Sequence, residues 1–163
     1  MTSFVYFKKL SFLSFGIAVA GWSLIYALWG WADNAQLAEF YLRRHMMFEA
    51  FIPAAFFHFS VQFSGKYERF KLSVWVSYVL SAFYSVAMLT PLMIASVKNV
   101  LFFKYWPVPG PLLLSHVVYF FIAVIAGFIL IIRQCFVTTG ADRQRACLML
   151  LAFSIGFGGG CIN

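Results

Sequence analysis

Residues 37–63 read LAEFYLRRHMMFEAFIPAAFFHFSVQF, and this stretch decides the fold of the chain. It is long and apolar enough to cross a bilayer, yet Glu49 lies inside it. If Phe40 lies at the edge of the hydrocarbon, Glu49 lies roughly 13 Å deeper at 1.5 Å per residue, near the middle of a slab about 30 Å thick. A charged group at that depth costs at least ~2.5 kcal/mol by insertion scales, so Glu49 is expected to face protein or water.

The same stretch predicts a kink beside the carboxylate. Pro53 follows Glu49 by four residues and has no N–H to donate to the Glu49 carbonyl, so the helix is expected to bend there. His45, Glu49 and Pro53 recur at four-residue spacing and therefore share one helical face. This face is the first candidate for a functional site.

The composition is that of an integral membrane protein. Of 163 residues, 63% are hydrophobic and 10% are charged, whereas a soluble domain carries about 25% charged residues. The net charge of +7 is spread over connecting segments, so it reports membrane orientation and predicts no nucleic-acid partner. The three cysteines have no metal-ligand or redox spacing and are expected to be apolar filling.

Hydropathy predicts an all-α helix bundle that forms one transmembrane domain over residues 1–163. Five crossing helices are expected, at residues 10–32, 40–63, 72–96, 112–134 and 144–162. The longest connection, 97–111, contains three prolines that exclude a regular helix. Its Tyr105 and Trp106 predict a position in the membrane interface.

Two rows of small residues predict close helix contacts. Ser73, Ser77, Ser81 and Ser85 recur at four-residue spacing on the third helix, and Gly156 and Gly160 form a pair on the fifth. Small residues let helices approach closely, so each row is expected to pack inside the bundle or to contact a partner. A polar ligand pathway along the serines is the disfavoured alternative. A five-helix bundle is not expected to use every such row, which predicts that other membrane protein subunits, besides lipid, contact the chain.

The cations predict the orientation. A cytoplasmic N-terminus and an outside C-terminus place eight cations inside and four outside, as the positive-inside rule favours. The inside set is Lys8, Lys9, Lys66, Arg69, Lys71, Arg133, Arg143 and Arg145, and the outside set is Arg43, Arg44, Lys98 and Lys104.

A polar pocket is expected under the outer surface. Its candidate residues are Arg44, His45, Glu49 and His116, with the 97–111 segment as a roof. The alternative is an internal pair in which Glu49 meets His45, Arg44 or a tyrosine of the third helix and fixes the register of the bundle.

Catalysis and metal binding are disfavoured. One buried carboxylate without a partner acid, a nucleophile or a metal set is a poor active site, so the chain is expected not to be an enzyme. Haem ligation would need His45 and His116, the one available pair, because His58 lies roughly 20 Å along the helix from His45. The 21 phenylalanines leave contact with lipid, quinone or pigment open, although aromatic side chains mostly fill space between helices.

The segment FEAFIPAAFFHFSVQF (48–63) resembles the third helix of the seven-helix N-terminal sensor region of bacterial histidine kinases. The tryptophan-rich helix before it and the segment DRQRACLMLLAFSIGFGGGCIN (142–163) resemble that region too. The resemblance implies helices two to six of a seven-helix module in the bacterial inner membrane. The first and seventh helices and any output domain are expected to be missing, so autophosphorylation by this chain is expected to be excluded.

Three functions remain open at this point. The first is a sensor-like or interaction module within a larger membrane assembly. The second is a structural or accessory subunit of a photosynthetic or respiratory complex, in contact with lipid, quinone or pigment. The third is a haem-bearing redox subunit.

Overall fold

The computed structural model describes the backbone of residues 2–101 and 103–160, and the side-chain surroundings of residues 11–101 and 103–159. A two-stranded antiparallel hairpin separates the first four helices from the last two. The elements are α1 (Thr2–Gly30), α2 (Ala35–Glu49), α3 (Ile52–Phe63), α4 (Tyr67–Ala87), β1 (Ile94–Val100), β2 (Phe103–Pro109), α5 (Leu113–Val137) and α6 (Gly140–Gly160).

The predicted all-α membrane bundle is confirmed. Four helical stretches among the described residues are long and apolar enough to cross a bilayer: Ser11–Gly30, Ala35–Phe63, Tyr67–Ala87 and Leu113–Val137. Helix α6 is less apolar, because its first turns carry Asp142, Arg143 and Arg145 and its end is rich in glycine. The fifth crossing over 144–162 therefore stays a prediction, and its last two residues lie outside the described part of the chain.

The second crossing is interrupted at Ala50 and Phe51, where the kink is predicted. Glu49 is the last residue of α2, and Pro53 is in the first turn of α3. A proline in a first helical turn costs little, since its missing N–H would have no partner within that helix. The break therefore places the Glu49 side chain at the junction between two helices.

The helix predicted over 72–96 is too long at its C-terminal end. It ends at Ala87, and β1 begins at Ile94. The Thr90 hydroxyl and backbone N–H both donate to the Ala87 carbonyl, at 2.7 and 2.9 Å, and so close the last turn. Pro91 has no N–H with which to continue the helix. The chain then turns outward into the hairpin, whose tight end has Leu101 at φ 53°.

Helix α3 is the centre of the bundle. Nearly all of its residues are buried, and it packs against α1, α4 and α5. Phe56 is fully buried, with ring centroids of Phe128, Phe153 and Phe157 between 4.8 and 5.1 Å away. A Cβ on Gly127 of α5 would lie 2.6 Å from the Phe56 ring, so this glycine permits the close approach of α3 and α5.

The serine row packs inside the chain over most of its length. Ser77, Ser81 and Ser85 are buried, and Ser73 is exposed. The Ser81 hydroxyl lies 2.9 Å from the Tyr119 hydroxyl, which donates to the Ser77 carbonyl at 2.8 Å. The buried part of the row is therefore used inside the bundle, where Tyr119 of α5 binds Ser77 and Ser81, and it is not available as a partner surface. Gly156 behaves differently, since a Cβ there would meet nothing within 4 Å, and the surroundings of Gly160 lie outside the described residues.

Candidate functional site: an apolar cavity with one polar pair

A cavity of about 720 Å³ lies between α1, the α2–α3 junction, α5 and α6. That volume falls within the ~300–1,000 Å³ typical of small-molecule sites. Its wall is mostly aromatic and aliphatic, formed by Phe12, Phe15, Val19, Trp22, Ile52, Val117, Phe120, Phe121, Met149, Ala152, Phe153, Gly156 and Phe157. Among the described residues, Glu49 and His116 complete the wall and carry its ionisable groups.

Glu49 and His116 face each other across this wall. Glu49 Oε2 lies 3.6 Å from His116 Nε2, which is beyond an ordinary hydrogen bond. The His116 side chain is 2% exposed and that of Glu49 is 18% exposed. Neither of the two facing atoms has a hydrogen-bond partner among the described residues. Two buried polar atoms without partners at a cavity wall are the feature expected of a site that a ligand completes.

Tyrosines of α4 and α5 pack against the His116 ring. The Tyr84 ring meets it edge-on at a centroid distance of 5.0 Å, and the Tyr119 ring lies at 6.3 Å. The Tyr84 hydroxyl donates to Ser115 at 3.2 Å, so its ring is fixed in turn. This packing fixes the position of Nε2 relative to the cavity.

Of the four residues predicted to form one pocket, Glu49 and His116 are brought together, and Arg44 and His45 lie outside the cavity wall. Arg44 donates to the Phe40 carbonyl of its own helix at 3.1 Å, and its guanidinium lies 3.3 Å above the Phe40 ring. His45 is buried among aromatic rings of α1, with centroids of Tyr26 at 5.7 Å and Trp29 at 6.1 Å.

The hairpin covers these rings rather than the cavity, so the predicted roof is displaced. Phe103 stacks on Trp29 at 6.2 Å, and Trp106 lies at 6.3 Å from it. His45 and His116 therefore lie in separate aromatic surroundings, which does not favour their joint ligation of haem. No group of three or more metal-ligating side chains is found among the described residues.

Arg43, which the sequence indicates only as an outer cation, is the main anchor of the hairpin. It is 9% exposed, and its guanidinium is paired with Glu39 at 2.6 Å. It also donates to the carbonyls of Met88, Thr90 and Ile94 at 3.3, 2.5 and 2.7 Å. The four-residue spacing of Glu39 and Arg43 is the sequence signal for the ion pair. No local signal indicates the three carbonyls, because they belong to a distant segment.

His58 joins a second polar cluster, at the other end of α3. Its Nδ1 lies 3.2 Å from the Tyr78 hydroxyl, and its Nε2 lies 2.8 Å from Gln62 Nε2. Gln62 in turn accepts from the Ser11 hydroxyl at 3.4 Å. The cluster connects α1, α3 and α4, and its polar groups are partnered, so it has the character of a structural link.

These observations define the class: a multi-pass membrane helix bundle with an apolar cavity. A protein-family model described as the N-terminal 7TM region of histidine kinase matches residues 2–162, and the chain belongs to that family. The resemblance stated from residues 48–63 and 142–163 is thereby confirmed. No curated protein and no solved structure matches the chain.

Membership gives the chain the role of a membrane sensor module, in the part of histidine kinases that is not catalytic. The alternative of an accessory subunit in an energy-converting complex finds no support in this match.

Proposed function

We propose that the chain is a signal-input module, in keeping with its family. We also propose that its signal is a lipophilic molecule that enters the cavity from the membrane. The observation that carries the proposal is the unpartnered Glu49–His116 pair in the wall of a 720 Å³ apolar cavity. An apolar pocket with a few convergent polar groups is the usual form of a small-molecule site. A water-soluble signal would not need so apolar a wall.

Helix α6 is the element through which binding of a ligand in the cavity would be transmitted to the rest of the protein. It contributes Met149, Ala152, Phe153, Gly156 and Phe157 to the wall. It meets the core through Phe153 and Phe157, which touch the Phe56 ring. A ligand that displaces these rings changes the position of α6 relative to α3, and differential binding to two such positions is what a sensor requires.

Co-purification tests the binding step. Gly156→Leu fills the cavity, whereas Gly158→Leu on the same helix adds the same side chain where nothing lies within 4 Å and outside the cavity wall. We expect mass spectrometry of the purified protein in nanodiscs to detect a small lipophile with the wild type and Gly158→Leu and to lose it with Gly156→Leu. Equal recovery from both variants would contradict the proposal.

The orientation is part of the same proposal: a bacterial inner-membrane protein with a cytoplasmic N-terminus and an outside C-terminus. The hairpin and the α1–α2 connection share one end, as the bond from the Tyr105 hydroxyl to the Asp33 carbonyl indicates. The α3–α4 connection and the end of α5 share another end. There Gln134 donates to the Ser64 carbonyl at 3.3 Å. The pKa of Lys66 at this end is lowered, first by desolvation and then by the neighbouring charges of Arg133 and Arg69. This cation-rich end is the cytoplasmic one under the positive-inside rule.

Cysteine labelling of intact cells tests the orientation. Introduced cysteines at Lys98 and Lys104 should react with an impermeant reagent, whereas cysteines at Lys66 and Arg143 should react only after permeabilisation. The opposite pattern would reverse the assignment.

We further infer that other membrane protein subunits contact the chain. The inference is supported by an open glycine of α6 outside the cavity wall, since a Cβ at Gly159 would meet nothing within 4 Å. Cross-linking in native membranes tests it, and recovery of the chain only as a monomer would contradict it.

A further inference from the structure

We infer that the ligand carries a hydroxyl group on an apolar, aromatic-rich body, and that the hydroxyl bridges Glu49 Oε2 and His116 Nε2. The inference rests on the proposed function, because it assigns the chemical class of the molecule that enters the same cavity. It starts from the two facing atoms, which lie 3.6 Å apart and have no hydrogen-bond partners among the described residues.

The protons of the pair select a group that both donates and accepts. If the pair is charged, Nε2–H is a donor and the carboxylate oxygen is an acceptor. If the proton resides on Oε2, the carboxyl is the donor and Nε2 is the acceptor. In both of these states, which hold one proton between the facing atoms, the pair presents one donor and one acceptor. Both atoms are buried, so a small rotation of the Glu49 side chain has to expose them; a single hydroxyl oxygen can then lie about 2.8 Å from both, accepting from one and donating to the other.

Other head groups leave one atom unsatisfied or add charge. An ether or an isolated carbonyl oxygen only accepts, so the acceptor of the pair stays without a partner. A carboxylate would bring a second negative charge beside Glu49, and the described residues of the cavity wall include no lysine or arginine to compensate it. A neutral hydroxyl avoids both costs.

The body of the ligand follows from the rest of the wall. Aromatic rings surround the space: those of Phe12, Phe15, Trp22, Phe120, Phe121, Phe153 and Phe157. Aromatic rings pack favourably against one another in tilted and edge-on arrangements, so a ring on the ligand gains more here than a saturated chain.

A matched pair of probes tests the head group. We would measure equilibrium binding of radiolabelled 4-octylphenol and of 4-octylanisole to protein-containing nanodiscs, corrected for uptake by empty nanodiscs. The two probes share ring and chain and differ only in the ability to donate. We expect the phenol to bind at least about tenfold more tightly, since an unpaired buried polar group is costly. A third probe, 4-octylbenzamide, donates and accepts through two separate atoms and is expected to bind more weakly than the phenol.

Variants test whether the Glu49–His116 pair causes the preference for the phenol over the anisole. In Glu49→Leu/His116→Phe, both probes should bind saturably with nearly equal affinity, because the polar pair is gone and the apolar wall remains. His58→Gln removes another histidine, which lies outside the cavity wall, and should keep the tenfold preference.

The outcomes separate this inference from the proposed function. Equal binding of phenol and anisole to the wild type, as expected if a water molecule serves the pair, would overturn the hydroxyl assignment alone. Tighter binding of the benzamide would overturn it as well. Absence of saturable binding by all three probes would overturn the ligand cavity itself.

Discussion

Glu49 is the last residue of α2 and contributes a carboxyl group to the wall of the cavity. Its position in the middle of an apolar stretch requires it to face protein, and the structure buries most of it at the α2–α3 junction. Its pairing with His116 follows from the crossing order of the helices, which puts both residues in one half of the bilayer. Arg43 was missed because its partners are backbone carbonyls after α4, and only the fold brings them to α2.

Glu49→Leu should destabilise the protein more than Glu49→Gln. Leucine leaves His116 Nε2 buried without a polar neighbour, whereas glutamine keeps a donor and an acceptor there. The expected loss in the free energy of unfolding is about 3 kcal/mol for leucine, which leaves a buried polar group unpaired, and about 1 kcal/mol for glutamine. Thermal unfolding in detergent measures the difference. Equal stability of the two variants would show that Glu49 and His116 do not interact.

Arg43→Met should release the hairpin. The substitution removes the guanidinium, which donates hydrogen bonds to the backbone carbonyls of Met88, Thr90 and Ile94. We expect proteolytic cleavage within 94–109 to become at least about tenfold faster, since losing a buried charged hydrogen-bond set costs more than 1.4 kcal/mol. Arg44→Met is the matched control, because among the described residues the Arg44 guanidinium binds Phe40 of its own helix and no part of the hairpin. Similar cleavage of both variants would count against the anchoring role.

Among the elements, the hairpin is the one that the sequence did not predict. The apolar run continues past Ala87 to Ser96, so hydropathy alone extends the helix, and Thr90 with Pro91 is the local sign that it ends. Pairing of β1 with β2 is not visible in either strand alone, because the predicted helix includes the first three residues of β1 and β2 is rich in proline. Helices α5 and α6 lie within a few residues of their predicted ranges, since hydropathy sets each and polar connections bound it. Helices α1 and α2 begin earlier than predicted, at Thr2 instead of 10 and at Ala35 instead of 40.

Gly127→Leu should disrupt the contact between α3 and α5. The new side chain would overlap the Phe56 ring, and overpacking of this kind costs about 1–3 kcal/mol. The expected result is a lower midpoint of thermal unfolding than for Gly158→Leu, which gives α6 the same residue in open space. An unchanged midpoint for Gly127→Leu would mean that α3 and α5 are not in close contact.

At the scale of the whole molecule, the cavity is the feature that sequence analysis could not supply. Its wall comes from α1, the α2–α3 junction, α5 and α6, and no single segment contains a recognisable part of it. The predicted pocket has the right carboxylate and the right histidine. The four-residue spacing of His45 and Glu49 predicts that both line one pocket, whereas His45 packs against the aromatic rings of α1.

The decisive test of the proposed sensor function is whether α6 moves when a ligand binds in the cavity. Spin labels at Lys71 on α4 and Arg143 on α6, both exposed and outside the cavity wall, would report the distance between these helices in nanodiscs. Double electron–electron resonance with and without 4-octylphenol should show a shifted distance distribution for the wild type and Gly158→Leu, and no shift for Gly156→Leu. A probe that binds the wild type saturably yet leaves the distribution unchanged would contradict the account.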